Sequence, residues 1–320
     1  ARKMCCGNSV VRQTTAAFIS SLSIFSGGNS YAWIAPLLYR LEQPDSIIPL
    51  SHDQGSWVVA LIELGNLFTP IPAGFLVDIW GRKLMLWITG PIYIGTWIMA
   101  LTLRSVIVLY IMRTIQGLAM SVQFTVLPMY LGEIAGPTLR GALSAFFQGM
   151  WYLGILYEYA FGAAFSYIGL TWLSLIPPSL FVISFLWCPE SPYYLVMKGK
   201  HEKAAKALSW LRAKPIDDPE LIEELKAMQE SITEEKDNKG RWQDIVCTKK
   251  GIKALTIVQV VAMTEIMSGL TTVLVYVSDT FAKTSGDPKS ADLFTMLLGA
   301  LLVLVTVATA FLVDRFGRRP

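Results

Sequence analysis

The sequence predicts an all-α polytopic membrane protein. Charged residues make up only 16% of the 320, and hydrophobic ones 53%. About 25% charge is usual for a soluble domain. Apolar runs long enough to cross a bilayer as helices recur along the chain. The stretch Phe-Leu-Val-Asp-x-x-Gly-Arg-basic is also written twice, within 74–83 and again within 310–319.

Eight spans are expected, at 14–38, 55–77, 84–103, 105–131, 141–165, 168–188, 252–278 and 291–313. A water-soluble core absorbs one such run but not eight. The first run is too long for a signal peptide and lacks its cleavage pattern. Arg2, Lys3 and Arg12 precede span 1; Arg82 and Lys83 follow span 2; Arg140 follows span 4; Arg315, Arg318 and Arg319 follow span 8. All fall on one side if the spans alternate. The other side mixes Arg40, Arg104, Lys283 and Lys289 with Glu42, Asp45, Asp53, Asp279, Asp287 and Asp292. By the positive-inside rule the first side is cytoplasmic, and it holds the N-terminus.

Between spans 6 and 7 the composition changes. From Glu190 to Lys250 lie 24 of the 51 charged residues, twelve of each sign. This reads as a solvated insert on the cytoplasmic side, not a nucleic-acid arm. Ala204, Ala207, Leu208 and Leu211 form one helical stripe, and Leu221, Leu225, Met228 and Ile232 another. Two or three short amphipathic helices are expected there. The domains are then an N-terminal six-helix bundle at 1–188, a helical linker at 189–251 and the first two helices of a second bundle at 252–320. Cys5, Cys6, Cys188 and Cys247 share the cytoplasmic side and read as reduced thiols. No Cys or His spacing suggests a metal, and no cofactor is expected.

The repeated motif closes span 2 and span 8, so six spans separate the copies. That is a parallel duplication of a six-helix unit, the arrangement of major facilitator transporters. Twelve spans are expected, of which eight lie before Pro320; the chain starts at Ala1 rather than Met, and both ends read as those of a fragment. Within the motif, Gly74 is expected to allow close helix approach, Asp78 to accept N–H groups at the next helix start, Gly81 to permit a tight turn, and Arg82 to reach carboxylates or helix C-terminal carbonyls. Such a latch holds while the cytoplasmic side is closed and breaks as it opens. The alternative is a positive-inside anchor, which two copies at equivalent places disfavour.

The chain resembles the sugar porter family, nearest its facilitated-trehalose-transporter-like and glucose-facilitator-like members. Besides both loops, the resemblance rests on Arg113-x-x-x-Gly117, "PMYLGEIAGPTLRG" at 128–141, "QGMWYLGIL" at 148–156 and "PESPYYLV" at 189–196. It implies a cytoplasmic charge network of Glu133, Glu190 and Asp78 with Arg82, Arg140 and Arg318, joined by Asp314, tying the two halves together in the outward-open state. Tyr193 stands where the family writes arginine.

The resemblance also implies a midplane solute pocket, with Gln148 as the span-5 ligand. In span 7 the family's Gln-Gln-x-Ser-Gly-Ile-Asn reads Glu265-Ile266-Met267-Ser268-Gly269-Leu270-Thr271 here. Both amides and the asparagine are replaced, only Tyr276 remains of a tyrosine pair, and Leu302 replaces an asparagine in span 8. Glu265, Thr271 and Tyr276 are therefore the second-half pocket residues expected here. Glu265 has three open roles: accepting sugar hydroxyls, attracting a cationic solute or carrying a proton. Glu63, Glu158 and Arg113 are the other intramembrane charges, and Arg113, counted with the charge network, is expected to pair within the first half. Asn29, also expected among the substrate-binding residues, aligns with the span-1 aspartate of proton-coupled members, which favours passive transport, though Glu265 or Glu158 leaves coupling open.

The expected function is facilitative transport of a sugar or polyol by alternating access. The alternatives are a proton-coupled or cationic-solute transporter and a transporter-like sensor. The expected partners are the solute and the bilayer, with no nucleic acid; a monomer suffices, and the plasma membrane is the expected location. An enzyme is not expected. The two histidines, His52 and His201, lie on opposite sides, and no nucleophile–base or phosphate-loop pattern occurs.

Overall fold

The computed structural model describes residues 2–137, 139–237, 248–285 and 288–316. Fourteen helices occur among them, with no strand. In chain order they are α1 (Arg2–Ala32), α2 (Ala35–Leu41), α3 (His52–Phe68), α4 (Pro70–Trp80), α5 (Arg82–Thr102), α6 (Val106–Ile134), α7 (Arg140–Gly162), α8 (Tyr167–Phe185), α9 (Pro192–Met197), α10 (His201–Arg212), α11 (Pro219–Asp237), α12 (Lys249–Met267), α13 (Leu270–Ser285) and α14 (Pro288–Phe316).

Three of the expected spans contain a break. Span 1 divides at Trp33–Ile34, just before Pro36. A proline supplies no N–H and is favoured in the first turn of a helix, and a new helix begins there. Span 2 divides at Thr69, where Pro70 opens α4 at 51° to α3. Span 7 divides at Ser268–Gly269, where Gly269 takes φ +73°, a backbone region that glycine enters without a Cβ clash. Four unbroken helices among the described residues are long and apolar enough to cross a membrane: α5, α6, α8 and most of α14; the bent α3–α4 pair makes a fifth. α1 and α7 have the length but carry polar residues that face inward. In α1, Ser20, Ser23 and Ser26 are buried, each returning its hydroxyl to a carbonyl three or four residues back.

Two close crossings build the first bundle. A Cβ on Gly28 would strike the Trp151 carbonyl oxygen and one on Gly154 the Phe25 carbonyl oxygen, which locks α1 onto α7. A Cβ on Gly65 would strike the Thr114 carbonyl oxygen and one on Gly117 that of Ile62, which locks α3 onto α6. Helices in lipid associate by such close backbone approach, because apolar burial gives them no drive. Gly74 has no such role: nothing lies within 4 Å of where its Cβ would be.

The insert supplies three helices, α9 to α11, and both sequence stripes turn inward: Ala204, Ala207, Leu208, Leu211, Leu221 and Ile232 are buried. They dock on the end of the bundle that carries Arg82. Arg212 donates to the Ile134 carbonyl at 3.0 Å and grips Glu224 at 2.7 Å. Arg12 donates to the Trp210 carbonyl at 3.0 Å, and the Gly136 N–H donates to Gln13 at 2.7 Å. The start of α1 and the insert therefore share one end of the molecule. Cys188 is buried and unbridged. Cys247 lies outside the described residues, and nothing is described of the Cys5 and Cys6 side chains.

The second-half helices meet the first bundle at the opposite end. Arg40 donates to Asp292 at 3.2 Å and to the Phe165 carbonyl at 3.0 Å. The Tyr159 hydroxyl donates to the Leu274 carbonyl. Toward the Arg82 end, α12 is exposed over nearly all its described length.

Candidate functional site

The first cluster sits at the turn between α4 and α5. Gly81 takes φ +97°, so the chain reverses there without Cβ strain. Arg82 follows, only 3% exposed. Its Nε donates to both Glu133 oxygens at 3.1 and 3.0 Å, and its Nη1 donates to Asp78 at 3.1 Å and the Val77 carbonyl at 3.3 Å. The guanidinium also lies 5.2 Å from the centre of the Tyr194 ring. A planar fork matched to a carboxylate suits arginine and not lysine.

Two expectations are corrected here. Asp78 does not cap α5; it lies one turn before Arg82 and pairs with it. Glu190 does not pair with Arg82, whose fork Glu133 occupies. Its carboxylate accepts the Lys83 N–H at 3.0 and 3.2 Å and the Ser191 N–H at 2.9 Å. A carboxylate from outside the helix thus satisfies an orphan N–H at the positive end of α5. Burial first, and the Glu190 carboxylate second, push the Tyr194 hydroxyl above its ordinary value, and it donates to the Ile79 carbonyl at 2.9 Å. Arg140 opens α7 and, with Asp78, Arg82, Glu133, Tyr193 and Glu224, lines a hollow of about 790 Å³ beneath α9 and α11. Arg318 lies outside the described residues, and nothing is described of the Asp314 side chain on α14. Among the described residues, the hydrogen bonds of Arg82, Glu133 and Glu190 stay within the first bundle and the start of the insert.

The second cluster lies deeper. Arg113 is fully buried, and its partners are backbone carbonyls: Ser30 at 2.5 Å, Val58 at 3.2 Å and Tyr31 at 3.4 Å, with Gln116 Oε1 at 3.5 Å. One cation thereby ties α1 and α3 to α6. On the same face of α6, Gln116 donates to Thr96 and Gln123 to Thr89, each at 3.1 Å. The sequence reading missed these two glutamines. Their signal was polar residues at 113, 116 and 123, on one side of an otherwise apolar helix. Glu158 is also fully buried, accepting from the Ser174 hydroxyl at 2.8 Å between α7 and α8. Asn29 is fully buried where α1 crosses α7; its backbone N lies 2.9 Å from where a Cβ on Gly154 would be.

Gln148 is exposed. It shares a helical stripe with Tyr152, Leu156 and Tyr159. A Cβ on Gly299 of α14 would lie 3.0 Å from the Tyr159 ring and 3.1 Å from Leu156. The stripe thus faces the second half, and Gln148 lies about two turns nearer the Arg82 end. Across the gap, Thr271 is exposed in the first turn of α13 and Tyr276 is half-buried. Glu265 is on α12, and nothing is described of its side chain. A hollow of about 780 Å³ runs along α12 beside Gln259, Met263 and Ser268. No group of three or more metal-ligating side chains occurs among the described residues.

Comparison with known proteins agrees with this arrangement. The family profile described as "Sugar (and other) transporter" matches residues 12–320. The chain is 29% identical over 309 residues to the facilitated trehalose transporter Tret1 of Aedes aegypti, covering 96% of this chain and 38% of that protein. It is equally 29% identical to Tret1 of Culex quinquefasciatus, covering 96% of this chain and 59% of the relative. The chain thus spans between about two fifths and three fifths of these relatives' length. Among solved structures it resembles the proton:xylose symporter XylE bound to 6-bromo-6-deoxy-D-glucose, with a TM-score of 0.82, 20% identity, and coverage of 98% of this chain and 71% of that one. It also resembles the inward-open conformation of XylE from E. coli, with a TM-score of 0.73, 19% identity, and coverage of 96% and 70%. At such identity the likeness concerns the fold. With nearly its whole length matched by one profile, the chain is an integral membrane protein of the major facilitator fold and belongs to the sugar transporter family.

Proposed function

We propose that the chain is part of a facilitative transporter that moves a neutral sugar or polyol by alternating access. The observation that carries this is the position of Gln148. An amide exposed deep in a membrane-spanning bundle, on the stripe facing the second half, serves a hydroxylated solute and has no use in lipid. Tret1 relatives are described as trehalose transporters, and a XylE structure holds a halogenated glucose. Trehalose and glucose are therefore the first solutes to test.

In this reading residues 1–188 and 252–320 belong to two bundles that rock about the midplane, with 189–251 as a cytoplasmic linker. The positive-inside rule puts the Arg82 end in the cytoplasm, and the plasma membrane is the proposed location. The described arrangement, joined through Arg40–Asp292 at one end and with Gln148 exposed toward the other, is read as the inward-facing end state. The Arg82 cluster, whose described bonds stay within the first bundle and the start of the insert, keeps the α4–α5 turn rigid as the halves part. Coupling to protons is disfavoured on geometry. Asn29 cannot titrate, and Glu158 is enclosed between two helices instead of facing the gap.

Uptake of radiolabelled trehalose and glucose into vesicles, with and without an inward-acid pH gradient, tests this. Saturable entry unaffected by the gradient is expected. Proton-driven accumulation refutes uniport, and absence of entry for every sugar supports the sensor reading instead.

A further inference from the structure

Phe124 interrupts a buried stretch of α6. Gln123, Val126, Leu127 and Tyr130 are buried, yet Phe124 is 38% exposed. It shares a helix face with Pro128 and Gly132, which follow at steps of four residues. Those two line the hollow of about 790 Å³ together with Asp78, Arg82, Glu133 and Arg140. Walls of charged side chains face water or protein and not lipid tails. The face that carries Phe124 therefore leads into the aqueous side of the bundle.

Two rings of α7 fix Phe124 in place. Its centroid lies 4.9 Å from that of Trp151, with the planes at 72°, and 5.3 Å from that of Phe147, with the planes at 81°. Both contacts are near-perpendicular, so neither neighbour stacks flat on Phe124. Trp151 is wedged behind it. It is 8% exposed, its ring lies 5.5 Å from the Tyr31 ring, and a Cβ on Gly27 would come within 3.4 Å of it. The same absent Cβ would meet Gln123 Oε1 at 2.6 Å, and Gln123 is itself held by its bond to Thr89 at 3.1 Å.

Gln148 is exposed, one residue after Phe147 and three before Trp151. At about 100° per residue it lies about 60° round α7 from Trp151, on the flank that faces the second half. Side chains three apart on a helix are neighbours. A carboxamide thus stands next to a ring pair that carries an exposed phenyl group.

We propose that Phe124, backed by Trp151 and Phe147, is a specificity-determining platform for the apolar face of a pyranose ring, with Gln148 taking hydroxyls at the ring's edge. This rests on the transport reading and commits its solute to cyclic sugars over open-chain polyols. A pyranose with equatorial hydroxyls gathers its C–H bonds on its two faces, and a phenyl face is the electron-rich side of that group. An open-chain polyol spreads hydroxyls all round, offers no flat apolar face and loses more rotational freedom when held.

The test uses the full chain in proteoliposomes, with labelled glucose and with unlabelled glucose and its open-chain counterpart glucitol as competitors. The unaltered protein is expected to prefer glucose. Phe124→Leu keeps an apolar side chain and removes the ring. It is expected to raise KM for glucose about three- to tenfold, with the maximal rate per inserted molecule kept within about twofold, and to lower the preference over glucitol to the same degree. Phe124→Tyr, which keeps the ring, is expected to retain both. A merely structural role for Phe124 would move both solutes alike. Should Phe124→Leu fail to insert, Phe124→Met reads the same ratio. An unchanged KM and ratio in the inserted variants, or equal use of glucitol by the unaltered protein, overturns the inference and leaves transport standing. Failure of the unaltered protein to carry any sugar or polyol overturns the transport reading, and this inference with it.

Discussion

Glu190, just beyond α8, holds the backbone N–H of Lys83 at 3.0 Å across 107 residues of chain. One of its oxygens lies 2.5 Å from where a Cβ on Gly81 would sit. The turn between α4 and α5 thus depends on an acid supplied from after α8 and on the absence of a side chain at Gly81. Glu190→Gln keeps an acceptor but loses its charge, whereas Glu190→Ala removes the cap. Thermal unfolding in detergent is expected to rank them: Ala below Gln below the unaltered protein, with about 1–2 kcal/mol for loss of the cap. Equal melting temperatures would remove Glu190 from the account of this turn.

Arg82 and Glu133 form a nearly buried, forked ion pair. Breaking one side of such a pair leaves an uncompensated charge and costs about 3–5 kcal/mol. Glu133→Ala is expected to lower stability by that order. Arg82→Lys is expected to recover only part of the contact, since an ammonium cannot span both oxygens. The exchanged pair, Arg82→Glu with Glu133→Arg, is expected to stay impaired, because Asp78 and the Val77 carbonyl also require a cation at position 82. Expression and melting temperature read all three.

The glycines divide sharply. Gly154→Val and Gly117→Val drive a side chain into a carbonyl oxygen of the facing helix, which no rotamer change relieves. Overpacking of this kind costs about 1–3 kcal/mol or more. Gly74→Ala meets nothing and is expected to change stability by less than about 0.5 kcal/mol. Comparable losses at Gly74 and Gly154 would contradict the crossings described.

Arg40 and Asp292 join the halves at the end opposite the latch, with side chains 39% and 20% exposed. A pair so placed contributes about 0–1 kcal/mol, enough to bias a two-state equilibrium by a few fold but not to hold the fold. Asp292→Asn is expected to leave the melting temperature unchanged while raising labelling of a cysteine placed at Phe165. Unchanged labelling would show that the pair does not gate that end.

Much of this was legible in residue order. The apolar runs, the charged insert with its two stripes and the repeated turn locate the spans, the linker and Arg82. What escaped was set by contacts between helices. Hydropathy averages over Thr69–Pro70 and Gly269, so broken spans read as continuous ones, although the proline and the glycine were visible. Asp78 looked like a cap because it stands just before a helix, yet Arg82, one turn on, claims it, and the cap comes from Glu190. Arg113 read as one half of an ion pair, whereas three carbonyls on two other helices neutralise its hydrogen-bonding demand.

The most direct measurement of the central claim is counterflow. Proteoliposomes carrying the full chain are preloaded with unlabelled trehalose or glucose, and entry of a trace of the same labelled sugar is followed. A carrier whose two halves expose one pocket alternately is expected to show transient accumulation of label above the outside concentration, lost on Gln148→Ala. Entry that never exceeds equilibration, or binding of sugar with no entry at all, would contradict alternating access.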